Sequence, residues 1–312
     1  MKRIARSFAA AVGALITGTT GLSAATAAVA DPLHPAAGVE VWASTDSDKT
    51  SVVKLLGRAL WAFDGDTKFQ GIDIERAWFA PQGQHARKQT RVYLDLADSL
   101  GDHWKWSTRI GTNGDTVLGT ASIRANDWSK EAFIEREIVE TPKGVDQGIY
   151  YTFVGASTNL IQTERDTISA MAGFQKFTGS NDRFHLRGTF VHVIKPDLGL
   201  SIQLRARYFH STVPDEFDYY SPSDFVQLIP VLQMRRFVRG GWMVLIAGGY
   251  GAQKATGTSW QAARLGEFRV DSPVRSKQFR AFVEVQYSNS SLVGASGNYH
   301  YVLGRAGLTS RF

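Results

Sequence analysis

The side chains best placed to do chemistry in this chain are arginines at short, regular spacings. Arg205 and Arg207 flank Ala206, and Arg183 and Arg187 lie four apart a little upstream. Lys54, Arg58, Arg91, Arg109, Arg235, Arg280, Glu284 and Arg305 sit in segments of the same kind, with an apolar residue on at least one side. On an extended chain, residues two or four apart stand on one face. Guanidinium groups arranged so can attract and orient anions. Asp73 with Glu75 and Glu135 with Glu137 are also two apart. Paired carboxylates suit acid–base work on sugars, and a wall of mixed charge needs them equally. His210 and Ser211 supply a base and a nucleophile. As strand neighbours they would point to opposite faces, and neither a third orienting group nor an oxyanion donor accompanies them. The seven histidines are scattered without metal-ligand spacing, and there is no cysteine for a thiolate site, a nucleophile or a disulfide. No catalytic residue, metal or cofactor is therefore expected.

The elements that must carry these side chains read as strands. Residues 200–208 put Leu200, Ile202, Leu204, Ala206 and Tyr208 on one face against Ser201, Gln203, Arg205 and Arg207 on the other. Residues 51–63, 91–97, 104–111 and 279–287 alternate in the same way, which helical spacing does not explain. Turn-type clusters such as Asp64-Gly65-Asp66, Asn113-Gly114-Asp115, Gly179-Ser180-Asn181-Asp182 and Gly294 to Asn298 separate the runs. Counting between turns gives about 16 strands, beginning near Gly38, Ser51, Gly71, Thr90, His103, Thr116, Glu131, Gln147, Asp166, Arg183, Leu200, Phe225, Trp242, Trp260, Lys277 and Asn298. Segments 131–141 and 260–270 alternate poorly, which predicts bulges there. Aromatic residues near the ends of runs, among them Trp61, Phe63, Trp78, Phe79, Tyr150, Tyr208 and Tyr219, read as interfacial girdles. Residues 210–224 form the longest irregular stretch. Its Asp215, Glu216 and Asp218 read as a solvated loop rather than a cation site.

Both ends of the chain bear on where such a sheet would sit. Residues 1–30 read as a cleaved signal peptide: Lys2, Arg3 and Arg6, an apolar run from Phe8 to Ile16, and Ala28-Val29-Ala30 before Asp31. The apolar run is shorter than the ~20 residues of a membrane helix. Without the three basic residues of this leader the net charge falls from +6 to +3, which removes the main support for nucleic-acid binding. The last segment alternates down to Phe312. A closing strand ending in Phe resembles the signal read by the assembly machinery of outer-membrane barrels. The expected fold is all-β: a transmembrane, antiparallel, up-and-down barrel of about 16 strands over residues 31–312. Its setting would be the bacterial outer membrane, among lipid and lipopolysaccharide. The arginines and Glu284 named above would line the lumen and Phe312 would face lipid.

The run Tyr219-Tyr220-Ser221-Pro222-Ser223-Asp224-Phe225, leading into Val226 to Val231, resembles a signature before a strand in exopolysaccharide secretion porins. These are the C-terminal barrels of cellulose synthase operon protein C and the poly-N-acetylglucosamine export porin. Residues 135–148 resemble a mid-barrel segment of the same family. The likeness implies a barrel and a role in polysaccharide export, with Tyr219, Tyr220, Ser221, Pro222 and Phe225 as its shared motif. Those porins carry a long array of tetratricopeptide repeats before the barrel, and no helical repeat of about 34 residues is visible here. A separate periplasmic repeat protein or a polysaccharide synthase would then be the partner. The expected function is a monomeric pore or exporter for saccharide-type, anionic or hydroxyl-rich solutes. The rival expectations are a barrel enzyme of lipase or deacylase type and a plugged receptor or structural barrel.

Overall fold

The computed structural model describes residues 34–83, 85–273, 278–290 and 299–312. The leader at 1–30 and the turn at 294–298 lie outside them. Eight strands form the first half: β1 (His34–Asp46), β2 (Ser51–Phe63), β3 (Phe69–Ala80), β4 (Arg87–Leu100), β5 (Trp104–Thr112), β6 (Val117–Ala125), β7 (Lys130–Ile138) and β8 (Tyr150–Gln162). The second half is β9 (Asp166–Phe177), β10 (Asp182–Lys195), β11 (Leu200–Ser211), β12 (Asp224–Phe237), β13 (Met243–Ala255), β14 (Gln261–Asp271), β15 (Phe279–Ser288) and β16 (Tyr301–Arg311). Each pairs antiparallel with its sequence neighbours, and β16 returns to β1, so the sheet closes. Closure leaves no open edge, the condition for carrying strands through lipid. The expected all-β barrel of 16 strands is therefore what the chain forms. Sequence and structure agree on the first residue of the strands starting at Ser51, Asp166 and Leu200.

Alternation sets the two faces. On β2, Val53, Leu55 and Trp61 are exposed outward, while Val52, Leu56 and Leu60 are buried inward. On β11, Ile202, Leu204 and Tyr208 are exposed, while Ser201, Gln203 and Phe209 are buried. Exposed apolar residues recur on strand after strand around the sheet, from Val39 to Leu308. A patch of that extent is unfavourable in water and natural in lipid. On β16 the outward series ends at Phe312, 76% exposed, whose N–H donates to the Pro35 carbonyl at 3.2 Å. Leu204→Arg, central on the outer face of β11, should destabilise the folded barrel by about 2–4 kcal/mol, whereas Leu204→Ile at the same lipid-facing position should cost much less. Denaturant titration of both variants in lipid vesicles checks this.

Two expectations are corrected. Segments 131–141 and 260–270 hold no bulge: β7 and β14 run in unbroken register with their partners. The register shifts fall instead between His34 and Ala36, Leu60 and Ala62, Asn159 and Ile161, and Val193 and Lys195. Alternation is weak in β7 because Arg136 lies on the outer face near the rim, donating to Thr152 Oγ1 (2.8 Å) and Thr116 Oγ1 (3.4 Å). The aromatic girdle is also smaller than expected. Trp61 and Tyr208 are exposed, but Phe63, Phe79, Tyr150 and Tyr219 are buried.

The two ends of the barrel differ. One carries both chain ends of the sheet and the short turns 64–68, 101–103, 126–129, 163–165 and 196–199. The other carries the longer connections 139–149 and 212–223. Within 139–149 lies a short helix, α1 (Pro142–Gln147). Thr141 caps it by accepting from the Gly144 N–H at 3.1 Å, and Gly148 ends it at φ 68°, a conformation that favours glycine.

Candidate functional site

The interior holds most of the candidate residues, and it is built from two unlike walls. The first is formed by β1–β7 with β14–β16. Asp73 and Glu75 stand two apart on β3 and both point inward. Register places Arg58 of β2 opposite Asp73 and Arg91 of β4 opposite Glu75. One strand further, Arg109 of β5 faces Asp95 of β4. Opposite charges thus interleave across four strands. Arg58 reaches Asp73 and Asp95, each at 2.8 Å. Arg109 reaches Asp73 at 3.1 Å and Glu75 at 3.3 Å. Arg91, whose side chain is fully buried, reaches Glu75 and Glu137 at 3.1 Å each and is also held by Gln89. Lys54 pairs with Glu140, and Arg305 with Glu40 at 2.8 Å. Towards the short-turn end Arg280 holds Asp66 at 2.9 Å and Asp271 at 2.7 Å, and Arg269 holds Asp271 at 2.6 Å. Buried charges are tolerated when paired and hydrogen-bonded, which these are.

Three cavities line up along this wall. The first, about 290 Å³, is bounded by Phe63, Asp66, Arg280, Glu284, Arg58 and Arg305. The second, about 260 Å³, shares Arg58, Glu40 and Arg305 with it and adds Lys54, Glu75 and Glu137. The third, about 480 Å³, shares Trp42, Lys54 and Glu137 with the second and reaches Asp46, Tyr151 and Tyr301. Neighbouring cavities share lining residues, so the three form a series from the short-turn end to the long-loop end.

The second wall, β8–β13, is filled more tightly. Phe153, Gln175, His185, Phe209, Phe225, Ile229, Val231 and Gln253 are buried on its inner face. Arg183 lies among them, donating from Nε to Ser211 Oγ (3.0 Å) and from Nη2 to the Tyr220 carbonyl (2.6 Å), over the rings of Phe209 (4.4 Å) and Phe177 (5.0 Å). Arg205 pairs with Glu267 of β14 at 2.7 Å, while Arg187 and Arg207 make no ion pair among the described residues. Arg235 is exposed near the short-turn rim, over Phe237 at 5.7 Å.

The motif Tyr219 to Phe225 closes over the long-loop end of this wall. Tyr219 stacks on Phe177 at 4.3 Å and its hydroxyl accepts from Asn181 Nδ2 at 2.9 Å. Tyr220 packs edge-on to Phe209 and Phe225. Ser221 is buried and its hydroxyl accepts from the Asp215 N–H at 3.0 Å. Burial raises the phenols of both tyrosines, that of Tyr220 to about 12, so both stay neutral at neutral pH. Of the acidic residues expected in a solvated loop, Asp215 is exposed, but the other two are engaged. Glu216 accepts from the Ser180 and Asn181 N–H groups at 2.6 and 2.9 Å. Asp218 accepts from Thr141 Oγ1 at 2.6 Å and the Lys143 N–H at 2.8 Å, at the start of α1. No group of carboxylates or histidines among the described residues could hold a metal ion.

His210 and Ser211 do not meet. Ser211 faces inward onto Arg183, and His210 faces outward with Nδ1 at 3.1 Å from Asp224. Sequence reasoning did not single out the carboxylates that hold the arginines from a distance, namely Glu40, Asp66, Glu267 and Asp271. Glu40 alternates with the apolar Val39 and Val41, a signal within reach; the others depend on which strands meet across the interior.

No protein-family model and no curated protein matches the chain. Solved structures do. A bacterial polysaccharide outer membrane secretin superposes with a TM-score of 0.61 at 13% identity, over 88% of this chain and 98% of that one. The outer membrane protein OprD from Pseudomonas aeruginosa gives a TM-score of 0.42 at 8% identity, over 89% of this chain and 94% of that one. The KdgM porin in complex with disordered oligogalacturonate gives 0.38 at 10%, over 88% and 99%. The first likeness places the chain in the fold of outer-membrane β-barrels. Within that class it is a sixteen-strand barrel with a charged, partly filled interior.

Proposed function

We propose that the protein is a bacterial outer-membrane pore for hydroxyl-rich, saccharide-type solutes, with polysaccharide export as its physiological role. The observation that carries the reading is the series of three cavities along the β1–β7 wall, lined by carboxylates throughout, by guanidinium groups in the first two and by Lys54 in the second and third. Such a lining offers a sugar hydroxyl a donor or acceptor at each step and holds none of them in a closed pocket. The superposition on a bacterial polysaccharide outer membrane secretin supports the export role. Longer connections at the end opposite the chain termini make that end extracellular. In this reading Phe312 is the residue presented to the assembly machinery, and a separate periplasmic protein guides the polymer. The barrel-enzyme alternative is disfavoured because His210 and Ser211 lie on opposite faces. Purified protein in a planar bilayer should give discrete current steps that added oligosaccharide interrupts. A folded, heat-modifiable barrel that stays silent under these conditions overturns the pore reading.

A further inference from the structure

Most interior cations of the first wall hold carboxylates, whereas Arg183, Arg187 and Arg207 on the second wall make no ion pair among the described residues; of these, Arg183 is bonded to Ser211 and the Tyr220 carbonyl. Arg187 of β10 and Arg207 of β11 are directly opposite each other in register. The rung continues with Met171 of β9 on one side and Gln227 of β12 on the other, so neither arginine has an acidic neighbour on it. Like charges directly opposite across a ladder repel. Arg207 lies over Phe209 at 5.4 Å and Phe225 at 5.5 Å, and its buried Nε has no hydrogen-bond partner. Buried polar groups are nearly always satisfied, and a specific exception points to a missing partner. The Arg187 side chain is on the same inner face and is exposed there. Glu135, the acid whose field reaches Arg187, is bound by the Tyr151 hydroxyl and makes no ion pair among the described residues. Gln227 extends the site with an amide that bonds Gln253 Oε1 at 2.9 Å. The next rung toward the short-turn end holds Arg205, already neutralised by Glu267.

We propose that Arg187 and Arg207 form a binding station for the oxyanion substituent of an acidic saccharide, be it carboxylate, sulfate ester or phosphate ester. Two guanidinium forks facing one another match the two or three oxygens of such a group and would be relieved of their mutual repulsion by it. A neutral sugar supplies no such relief. The inference rests on the pore reading for the traffic past the station but not for the binding itself.

The test measures binding and conduction separately. Wild-type protein in detergent is titrated with a linear uronic-acid hexasaccharide, with maltohexaose and with inorganic phosphate, following thermal unfolding; the same ligands are then added to channels in a bilayer. The hexauronate should act at a concentration about tenfold or more below that of maltohexaose, as expected for a charge-assisted pair of hydrogen bonds. In Arg187→Gln/Arg207→Gln the difference should shrink to about twofold while maltohexaose is unaffected; Arg187→Lys/Arg207→Lys, which keeps the charge without the fork, should fall between. Gel mobility before and after heating verifies folding, and if the double variant does not fold the single glutamine variants are read in its place. Equal action of hexauronate and maltohexaose on the wild type overturns the station. So does a preference that survives both glutamines. Inorganic phosphate acting as strongly as the hexauronate makes it a site for free anions and overturns the saccharide assignment. Binding without any conductance would leave the station standing and remove the pore.

Discussion

Arg91→Met should lower the stability of the folded barrel by about 3–5 kcal/mol, the range for removing one member of a buried charge network. The side chain is fully buried and touches Glu75 and Glu137, whose own side chains are only 7% and 24% exposed. Methionine matches much of the volume, so packing over Phe79 is largely kept and the loss is electrostatic. Glu75 would retain Arg109 alone, at 3.3 Å, and Glu137 would keep no ion pair among the described residues. The companion variant Arg91→Met/Glu137→Gln should be less destabilised than the sum of the two single changes, by about 0.5–3 kcal/mol, because the second change removes the stranded charge. Denaturant titration in lipid vesicles, read by tryptophan fluorescence and heat-dependent gel mobility, gives both numbers. Additive losses would mean that water in the adjoining cavity already solvates Glu137, and that the network on β2–β5 does little to hold the strands.

Local pattern determines which parts of this molecule can be read from sequence. The strands of residues 51–63 and 200–211 are legible because a period of two is visible within a single run, and membrane burial demands it of every strand. That period also puts Arg205 and Arg207 on one face. It cannot separate them, because the distinction lies in Glu267, 62 residues further on, which reaches one guanidinium and not the other. Adjacent aromatics at strand ends fail for a related reason. Trp78 and Phe79 must face opposite ways, and only closure of the sheet decides that Phe79 goes inside, beneath Arg91. The connection 212–223 was legible as a loop but not as a folded one. Glu216 and Asp218 look solvated because their partners, the N–H groups of Ser180 and Lys143, belong to other connections. A sequence pattern reports neighbours along a strand, while the charges that neutralise one another here are neighbours across strands and across the interior.

The connection 212–223 supplies the other large effect. Tyr219→Ala should release it from the second wall without unfolding the strands. The ring stacks on Phe177 at a 10° angle and is almost wholly buried with Val139 and Ile149, so its loss removes contacts with three separate connections and strand ends. Truncating a buried aromatic costs about 3–5 kcal/mol, and every ~1.4 kcal/mol is a factor of ten in population. The barrel ladders do not pass through Tyr219, so that cost falls on the loop equilibrium, and the open form should rise by about a hundredfold or more. Protease cleavage between Val213 and Phe217 should accelerate accordingly, while the global unfolding transition moves little. Tyr219→Phe keeps the stack and loses only the bond from Asn181 Nδ2, and its cleavage should accelerate far less, by the equivalent of about 1 kcal/mol. The latch also ties two connections together, since Asp218 on the same loop accepts from Thr141 and the Lys143 N–H. Freeing one should therefore loosen α1, and single-channel current through Tyr219→Ala should become larger or noisier than that of the wild type. Unchanged cleavage in Tyr219→Ala would show that Glu216 and Asp218 hold the loop without the ring. An equal shift of cleavage and global unfolding would show that loop and barrel are one cooperative unit.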